Sequence, residues 1–184
     1  MCPHLHYPLQ SGSDEILEKM KRFYTLEEYM RKLDRVREIC PDIGVGTDMI
    51  VGFPGETEKD FLKTLEAVKA IEFDYMYPFA YSKRPKTLAQ KWDETVSEKD
   101  KKDRLNELIR VQDEITRRKN ELMLGKRVEV LIEGPSKNGQ SMMGRSGNFK
   151  IVHIADSTLK KGDYVDCQIT KSMGHSLIGE MIYH

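Results

Sequence analysis

The order of apolar and amphipathic segments is the feature that most limits how this chain can fold. Over about the first ninety residues, short apolar stretches alternate with segments whose apolar residues recur at helical spacing. This β-α-α-β-α-β order predicts an α/β fold with parallel strands and crossover helices. Beyond residue 125, short strands separated by turns rich in Gly, Asn and Asp predict a small closed or partly open β-barrel.

Three strands and three helices are predicted in the first part of the chain. Helices are expected to begin after Ser13, Thr25 and Thr57, because Ser and Thr side chains accept hydrogen bonds from the free N–H groups of a first helical turn. Thr25 and Glu28 are also spaced as a capping box. The strands are expected at His4–Leu9, Ile43–Val51 and Phe73–Tyr81.

A long charged helix over residues 98–124 is predicted to connect the two parts. Ser97 is expected to cap this helix and Gly125 to end it. Its narrow apolar stripe consists of Leu105, Leu108, Ile115 and Leu122. The barrel strands are expected at Arg127–Glu133, Met142–Arg145, Phe149–Ala155, Tyr164–Thr170 and Leu177–Tyr183. The predicted domains are therefore residues 1–97, 98–124 and 125–184.

The composition is that of a globular protein with a heavily charged surface. The 184 residues include 30 Lys and Arg and 30 Asp and Glu, which excludes a strongly basic chain but not a local basic face. No uninterrupted apolar run exceeds three residues, so no membrane span is predicted. Cys2, Cys40 and Cys167 are too far apart for a disulfide framework or a CxxC metal site, which favours a cytoplasmic location.

Two turns follow predicted strands, at the edge where α/β sheets bind ligands. In PLQSGSD, Gln10 and Ser11 offer hydrogen bonds to a ribose or a phosphate. The alternative is that Ser13 only caps a helix and Gln10 is solvated. In TDMIVGFPGET, Asp48 interrupts an apolar strand, and a buried carboxylate there would need hydrogen-bond donors. GxxxxGK[ST] is absent, so no phosphate-binding P-loop is predicted.

Several other side chains are weaker candidates. His4 and His6 alternate along one strand and so face the same side, but no third metal ligand is evident. Arg22 is suited to binding a carboxylate, although a surface salt bridge is the ordinary expectation for such a residue. The predicted barrel has a modest basic bias that suits phosphates, with solvated strand faces as the alternative. Its cations are Arg127, Lys137, Arg145, Lys150 and Lys171.

Long motifs in this chain resemble the tRNA methylthiotransferases of the MiaB type. HLHYPLQSGSDEILEKMKRFYTLEEY, IGVGTDMIVGFPGETEKDFLKTLE and FAYSKRPKTLA are similar to the second half of their radical S-adenosylmethionine domain. LGKRVEVLIEGPSK and MGRSGNFK resemble the TRAM domain that follows in the same family. The loop SKRPKT is closer to the tRNA-modifying branch, YSxRxGT, although Lys86 replaces the usual glycine.

The resemblance implies a fold, a reaction and a cofactor site. The family binds S-adenosylmethionine across a partial β/α barrel and cleaves it at a 4Fe-4S cluster. It adds a methylthio group to isopentenyl-adenosine beside the anticodon of tRNA. Carried over, Gln10 and Ser11 would contact the cofactor, and Arg22 would pair with its methionine carboxylate. Asp48 would meet its ribose or amino group, and Ile50 and Ser82 would lie against its adenosine.

The cluster-binding CxxxCxxC motif of the family does not occur in this sequence. We therefore expect a carboxyl-terminal fragment: half of the radical S-adenosylmethionine barrel, the linking helix and a complete TRAM barrel. By itself this fragment is expected to be inactive and to bind neither cofactor. The alternative is a non-catalytic RNA-binding module that acts through the barrel. The cut sheet would also expose an edge through which two copies could pair.

Overall fold

The computed structural model describes residues 2–85, 87–137 and 139–182. The chain forms two compact units, and their boundary lies between residues 112 and 113 of a long helix. The first unit contains residues 6–41 and 45–112. The second contains the residues from 113 onward, together with 42–44 and those before residue 6.

The first unit is built on an α/β arrangement, which confirms the predicted class. The elements of this part of the chain are β1 (His4–His6), α1 (Asp14–Lys19), α2 (Leu26–Ile39), β2 (Gly44–Val51), α3 (Glu58–Ile71) and β3 (Tyr75–Ala80), of which residues 4, 5 and 44 are grouped with the second unit. The sheet order is β1-β2-β3, and β2 and β3 are parallel. Strand β1 stops before the predicted Leu9, because Pro8 has no N–H for a strand ladder and Leu9 donates instead to the Thr47 hydroxyl.

Of the three helix caps predicted in the first part of the chain, two are confirmed, and so is the Ser97 cap of the long helix, whose hydroxyl accepts from the Asp100 N–H at 3.1 Å. Thr25 forms a capping box with Glu28, and Thr57 forms one with Asp60. The third prediction is wrong, since Ser13 occupies the N-cap position of α1 without making a side-chain cap. Its hydroxyl donates instead to Asp60 at 2.6 Å. The helix start is therefore predicted correctly, but the serine joins α1 to α3.

Helix α4 (Glu98–Glu121) follows a short 3-10 helix at Leu88–Lys91. It ends three residues before the predicted 124, and Leu122, expected in its apolar stripe, is 67% exposed. Leu108 and Ile115 are buried as expected, whereas Leu105 is half-buried. Val111 is also buried, and so are the polar residues Lys101, Gln112, Thr116 and Asn120 of the same helix. No helix within the described ranges is both long and apolar enough to span a membrane.

The second unit contains a closed five-stranded barrel, in agreement with the predicted β-barrel. Its strands are β4 (Arg127–Pro135), β5 (Met142–Ser146), β6 (Ile151–Ile154), β7 (Tyr164–Ser172) and β8 (Leu177–Met181). They pair in the order β4-β5-β6-β8-β7, and β7 closes the barrel on β4. The last strand was predicted to reach Tyr183, which lies outside the described residues. The barrel core includes Val130, Ile132, Val152, Ile154, Cys167, Ile169 and Leu177.

Candidate functional site

A pocket of about 450 Å³ lies in the first unit, where the strands of its sheet end. Residues from three consecutive strand-to-loop connections contribute to it, as expected for an α/β sheet that binds ligands beyond its carboxyl edge. Five of the six residues proposed from the resemblance line this pocket: Gln10, Arg22, Asp48, Ile50 and Ser82.

Gln10 is held in place by its own backbone. Its N–H donates to the Asp48 carbonyl at 2.9 Å, and its carbonyl accepts from the Ile50 N–H at 2.9 Å. Its φ of 74° lies in the left-handed region, where residues other than glycine are uncommon. The residue is only 6% exposed. The amide side chain is therefore attached to a backbone that has little freedom to move.

Ser11 is the candidate that does not line the pocket. Its side chain is fully buried, and its hydroxyl lies 3.4 Å from that of Thr64 on α3. It also accepts from the N–H of Ser13 at 3.2 Å. In this structure the Ser11 side chain thus stabilises the turn that contains Gln10.

The carboxylate of Asp60 accepts the hydrogen bonds that link this turn to the start of α3. One carboxylate oxygen accepts from the Ser13 hydroxyl at 2.6 Å, and the other accepts from the Thr57 hydroxyl at 2.6 Å and the Thr57 N–H at 3.0 Å. Burial opposes ionisation, but these bonds and nearby Lys63 outweigh it and lower the pKa of Asp60 from 3.8 to about 2. The turn is therefore tied to an ionised carboxylate at neutral pH.

Asp48 is less buried than the sequence suggested. Its side chain is 30% exposed, because it faces the pocket rather than the core. One carboxylate oxygen lies 3.4 Å from Nε2 of His6, and Nδ1 of the same ring lies 3.3 Å from the Tyr75 hydroxyl. His6 thus contacts a pocket carboxylate, and no group of three metal-ligating side chains occurs in the described ranges.

Four cations contribute to the lining, and we call Lys19, Lys21, Arg22 and Arg84 the cationic rim. Lys19 Nζ donates to the Gly55 carbonyl at 3.2 Å. Within the described part of the chain, none of the four forms an ion pair, so the surface salt bridge considered for Arg22 is not made. Asp48 supplies the carboxylate of this lining. The pocket therefore carries a net positive charge.

Aromatic side chains form an apolar wall. The rings of Phe53 and Tyr81 both line the pocket and meet edge to face, with centroids 5.1 Å apart. The Phe53 ring also meets the Trp92 ring edge to face, with centroids 5.9 Å apart. The Tyr81 hydroxyl is buried and has no hydrogen-bond partner among the described residues.

The turn after β2 is anchored by a buried ion pair. The Glu56 side chain is fully buried; it accepts from the Gly52 N–H at 2.7 Å and from Arg104 of α4 at 2.7 Å. Burial raises the pKa of Glu56, although the Gly52 and Arg104 hydrogen bonds oppose this effect. The pair fixes the turn that carries Phe53.

The cysteines do not fit a 4Fe-4S cluster. Cys2 is exposed, Cys40 is half-buried and Cys167 lies in the barrel core. Burial raises the pKa of the Cys167 thiol to about 11, which disfavours the thiolate that binds iron. These three cysteines are therefore not assigned as ligands of an iron–sulfur cluster.

The barrel cations have different surroundings. Arg127 pairs with Asp166 at 2.8 Å, and Arg145 pairs with Glu133 at 3.1 Å. Lys150 is only 7% exposed, so its position suits a structural role better than a phosphate contact. Lys137 and Lys171 are exposed.

Comparison with known proteins finds one family match in the first part of the chain and another in the barrel part. Residues 1–68 match the Radical SAM superfamily, and residues 121–182 match the TRAM domain. A solved structure with a similar fold is coproporphyrinogen III oxidase (HemN) from Escherichia coli, a radical SAM enzyme. It has a TM-score of 0.51 and 18% identity, over 95% of this chain and 44% of that one. The chain therefore carries part of a Radical SAM domain and a TRAM domain.

Its curated relatives are more specific. A tRNA-2-methylthio-N(6)-dimethylallyladenosine synthase from Clostridium novyi (strain NT) is 47% identical over 99% of this chain and 40% of the relative. The synthase of the same name from Caldicellulosiruptor saccharolyticus is 43% identical over 99% of this chain and 39% of the relative. The chain thus corresponds to a carboxyl-terminal portion of these tRNA methylthiotransferases and spans about 40% of their length.

Some residues of the site were not identified from the sequence. The alternation of His4 and His6 indicated a shared face, but only the sheet register brings His6 to Asp48. Phe53 and Tyr81 lie in motifs that were recognised, yet their edge-to-face contact joins two separate strands. Lys86, whose replacement of a glycine was noted, lies outside the described residues.

Proposed function

We propose that the pocket binds S-adenosylmethionine for a tRNA methylthiotransferase. The observation that carries this proposal is the convergence of Gln10, Arg22, Asp48, Ile50 and Ser82 on one pocket. In the parent enzyme, the cofactor bound beside a 4Fe-4S cluster supplies the radical for modification of an adenosine. The cluster itself would be held by residues beyond those of this chain.

The chemistry of the lining suits the cofactor. The guanidinium of Arg22 is suited to its carboxylate, and the carboxylate of Asp48 is suited to its ribose hydroxyls or ammonium group. His6, which does not line the pocket, contacts that carboxylate. Ile50 and Phe53 offer apolar surface to the adenine.

The barrel is proposed to bind tRNA, with residues 125–184 as the TRAM domain, 98–124 as the linking helix and 1–97 as the radical SAM part. Of the five barrel cations, Lys137 and Lys171 have the exposure that phosphate contacts require. Arg127 and Arg145 would first have to exchange their carboxylate partners for phosphates. A cytoplasmic location and pairing of two copies through the sheet edge remain part of the proposal.

The absence of the cluster-binding motif led to the expectation that this chain alone binds no cofactor, but five of the six candidate residues line one pocket, so we propose that the chain binds S-adenosylmethionine without the cluster. Calorimetric titration of the chain with S-adenosylmethionine tests this proposal. Asp48→Asn and Arg22→Ala each remove a charge-assisted contact, worth about 1.5–3 kcal/mol, so the Kd is expected to rise about tenfold or more. Arg35→Ala is the matched control, because Arg35 is exposed on α2 and bonds only to Glu38 at 2.8 Å. Equal affinity of all three variants would contradict the proposal.

A further inference from the structure

Gln10 and Arg22 reach the pocket from two different segments of the first unit. Gln10 lies in the turn after β1, whereas Arg22 lies in the connection between α1 and α2, and both residues line the pocket. A ligand that contacts both side chains binds tightly only where the two segments already have a fixed separation, because ordering them on binding would cost affinity. The contacts that fix this separation therefore determine what the pocket can bind.

The connection that carries Arg22 leaves α1 along a defined path. Lys21 has a φ of 59°, in the left-handed region where residues other than glycine are uncommon. The N–H of Arg22 then donates to the Leu17 carbonyl at 2.9 Å. At the far end of the connection, the Leu26 N–H donates to the Asp14 carboxylate at 2.7 Å. These two bonds anchor the connection to α1 rather than to the backbone that ends β1.

The hydroxyl of Tyr24 joins this connection to the turn after β1. Its proton is shared between the carbonyls of Pro8 and Leu9, at 3.2 Å and 3.1 Å. Because Leu9 is fully buried, its carbonyl depends on this donor. A hydroxyl located two residues after Arg22 thus bonds to the two carbonyls that directly precede Gln10.

Tyr24 itself does not line the pocket. Its ring lies beside that of Tyr29, with centroids 6.2 Å apart, and the Tyr29 ring is stacked on Tyr7 at 4.3 Å. Burial raises the pKa of Tyr24, and the positive charge of Arg22 opposes the rise. The hydroxyl therefore keeps its proton at neutral pH and remains a hydrogen-bond donor.

We propose that Tyr24 is a positioning residue of the cofactor pocket, and that its hydroxyl sets the separation of Gln10 and Arg22 for a ligand that contacts both. The inference rests on the proposed function, in which the carboxylate of S-adenosylmethionine pairs with Arg22. Methylthioadenosine keeps the adenosine and the sulfur of that cofactor but has no carboxylate, so it does not use Arg22. The Tyr24 hydroxyl should therefore matter for S-adenosylmethionine and not for methylthioadenosine.

Calorimetric titration with these two ligands tests the positioning. Tyr24→Phe keeps the ring and removes one hydrogen-bond donor, so it should raise the Kd of S-adenosylmethionine about threefold to tenfold and leave that of methylthioadenosine unchanged. Tyr29→Phe is the matched control, because it removes a hydroxyl that donates to the Tyr7 carbonyl at 2.6 Å, outside the connection that carries Arg22. It should leave both Kd values unchanged. Urea unfolding shows that both variants are folded under the conditions of the titration.

A double-mutant cycle separates positioning from a general loss of stability. When Arg22 is already replaced by alanine, Tyr24→Phe should cause no further loss of S-adenosylmethionine affinity, because no guanidinium remains to be positioned. Additive losses would overturn the inference.

The remaining outcomes are equally decisive. The inference is also wrong if Tyr24→Phe binds S-adenosylmethionine as tightly as the unaltered chain, or if it weakens both ligands equally. Failure of the unaltered chain to bind S-adenosylmethionine would refute the proposed function and, with it, this role of Tyr24. A normal affinity of Tyr24→Phe would refute the role of Tyr24 alone.

Discussion

Replacing Asp60 by asparagine should destabilise the chain in a way that depends on pH. The side chain is almost fully buried and accepts three hydrogen bonds from Ser13 and Thr57. Its pKa falls from 3.8 to about 2 in the native state. At about 1.4 kcal/mol per tenfold change in proton affinity, folding favours the ionised carboxylate by about 2 kcal/mol.

The sign of the effect follows from the lowered pKa. The stabilisation is fully present above the unfolded pKa of 3.8 and is lost as the pH falls through about 2. Asp60→Asn keeps the shape of the side chain but cannot ionise. The difference in unfolding free energy between the original chain and the variant should therefore shrink by about 1 kcal/mol between pH 6 and pH 3, and by about 2 kcal/mol at pH 2.

Urea unfolding followed by circular dichroism at pH 6 and pH 3 measures this difference. Asp34→Asn on α2 is the matched control, because Asp34 is exposed; a surface change of this kind should alter stability by less than about 0.5 kcal/mol. If Asp60→Asn is equally destabilising at both pH values, ionisation of Asp60 is not what its hydrogen bonds stabilise, and the reasoning fails.

Two further changes test the packing and the turn. Gly46→Ala should lower stability by about 1–3 kcal/mol or more in urea unfolding, because its Cβ would overlap the Tyr75 ring; an unchanged midpoint would contradict this. Gln10→Gly should leave stability unchanged or raise it, since glycine adopts the φ of 74° freely. It should still weaken S-adenosylmethionine binding in calorimetry, and an unchanged Kd would show that the amide does not contact the cofactor.

The element order was predictable because it depends on local patterns. Capping residues such as Thr25 and Thr57 act within one helical turn, so their spacing alone locates a helix start. Ser13 was predicted incorrectly, since its hydroxyl found a partner 47 residues away in sequence. The prediction that Leu122 lies in the buried stripe was wrong for a similar reason. The apolar spacing continues past Glu121, but the helix ends there. The local spacing of residues in a sequence does not show where contacts with distant residues change a cap or end a helix.

The residues that line the pocket could be predicted mainly from the motif resemblance, and only partly from the chemistry of their side chains. Asp48 was correctly singled out as a carboxylate within an apolar strand, but its exposure and its His6 partner depend on the pairing of separate strands. Ser11 shows the limit of carrying residues over from a motif. It stands beside Gln10 in the sequence, yet its side chain turns toward Thr64 and α3.

The strained Gln10 and the buried Asp60 act as parts of one arrangement. A non-glycine residue in the left-handed region costs about 1–2 kcal/mol, and such strain persists only where the surroundings hold the backbone firmly. Here Ser11 is bonded toward Thr64, Ser13 to Asp60, and Gln10 itself to β2 on both sides. Glycine would remove the strain but also the amide that faces the pocket. We therefore expect the amide of Gln10 to contact the ligand of the pocket, while the ionised carboxylate of Asp60 stabilises the backbone of the turn that presents it.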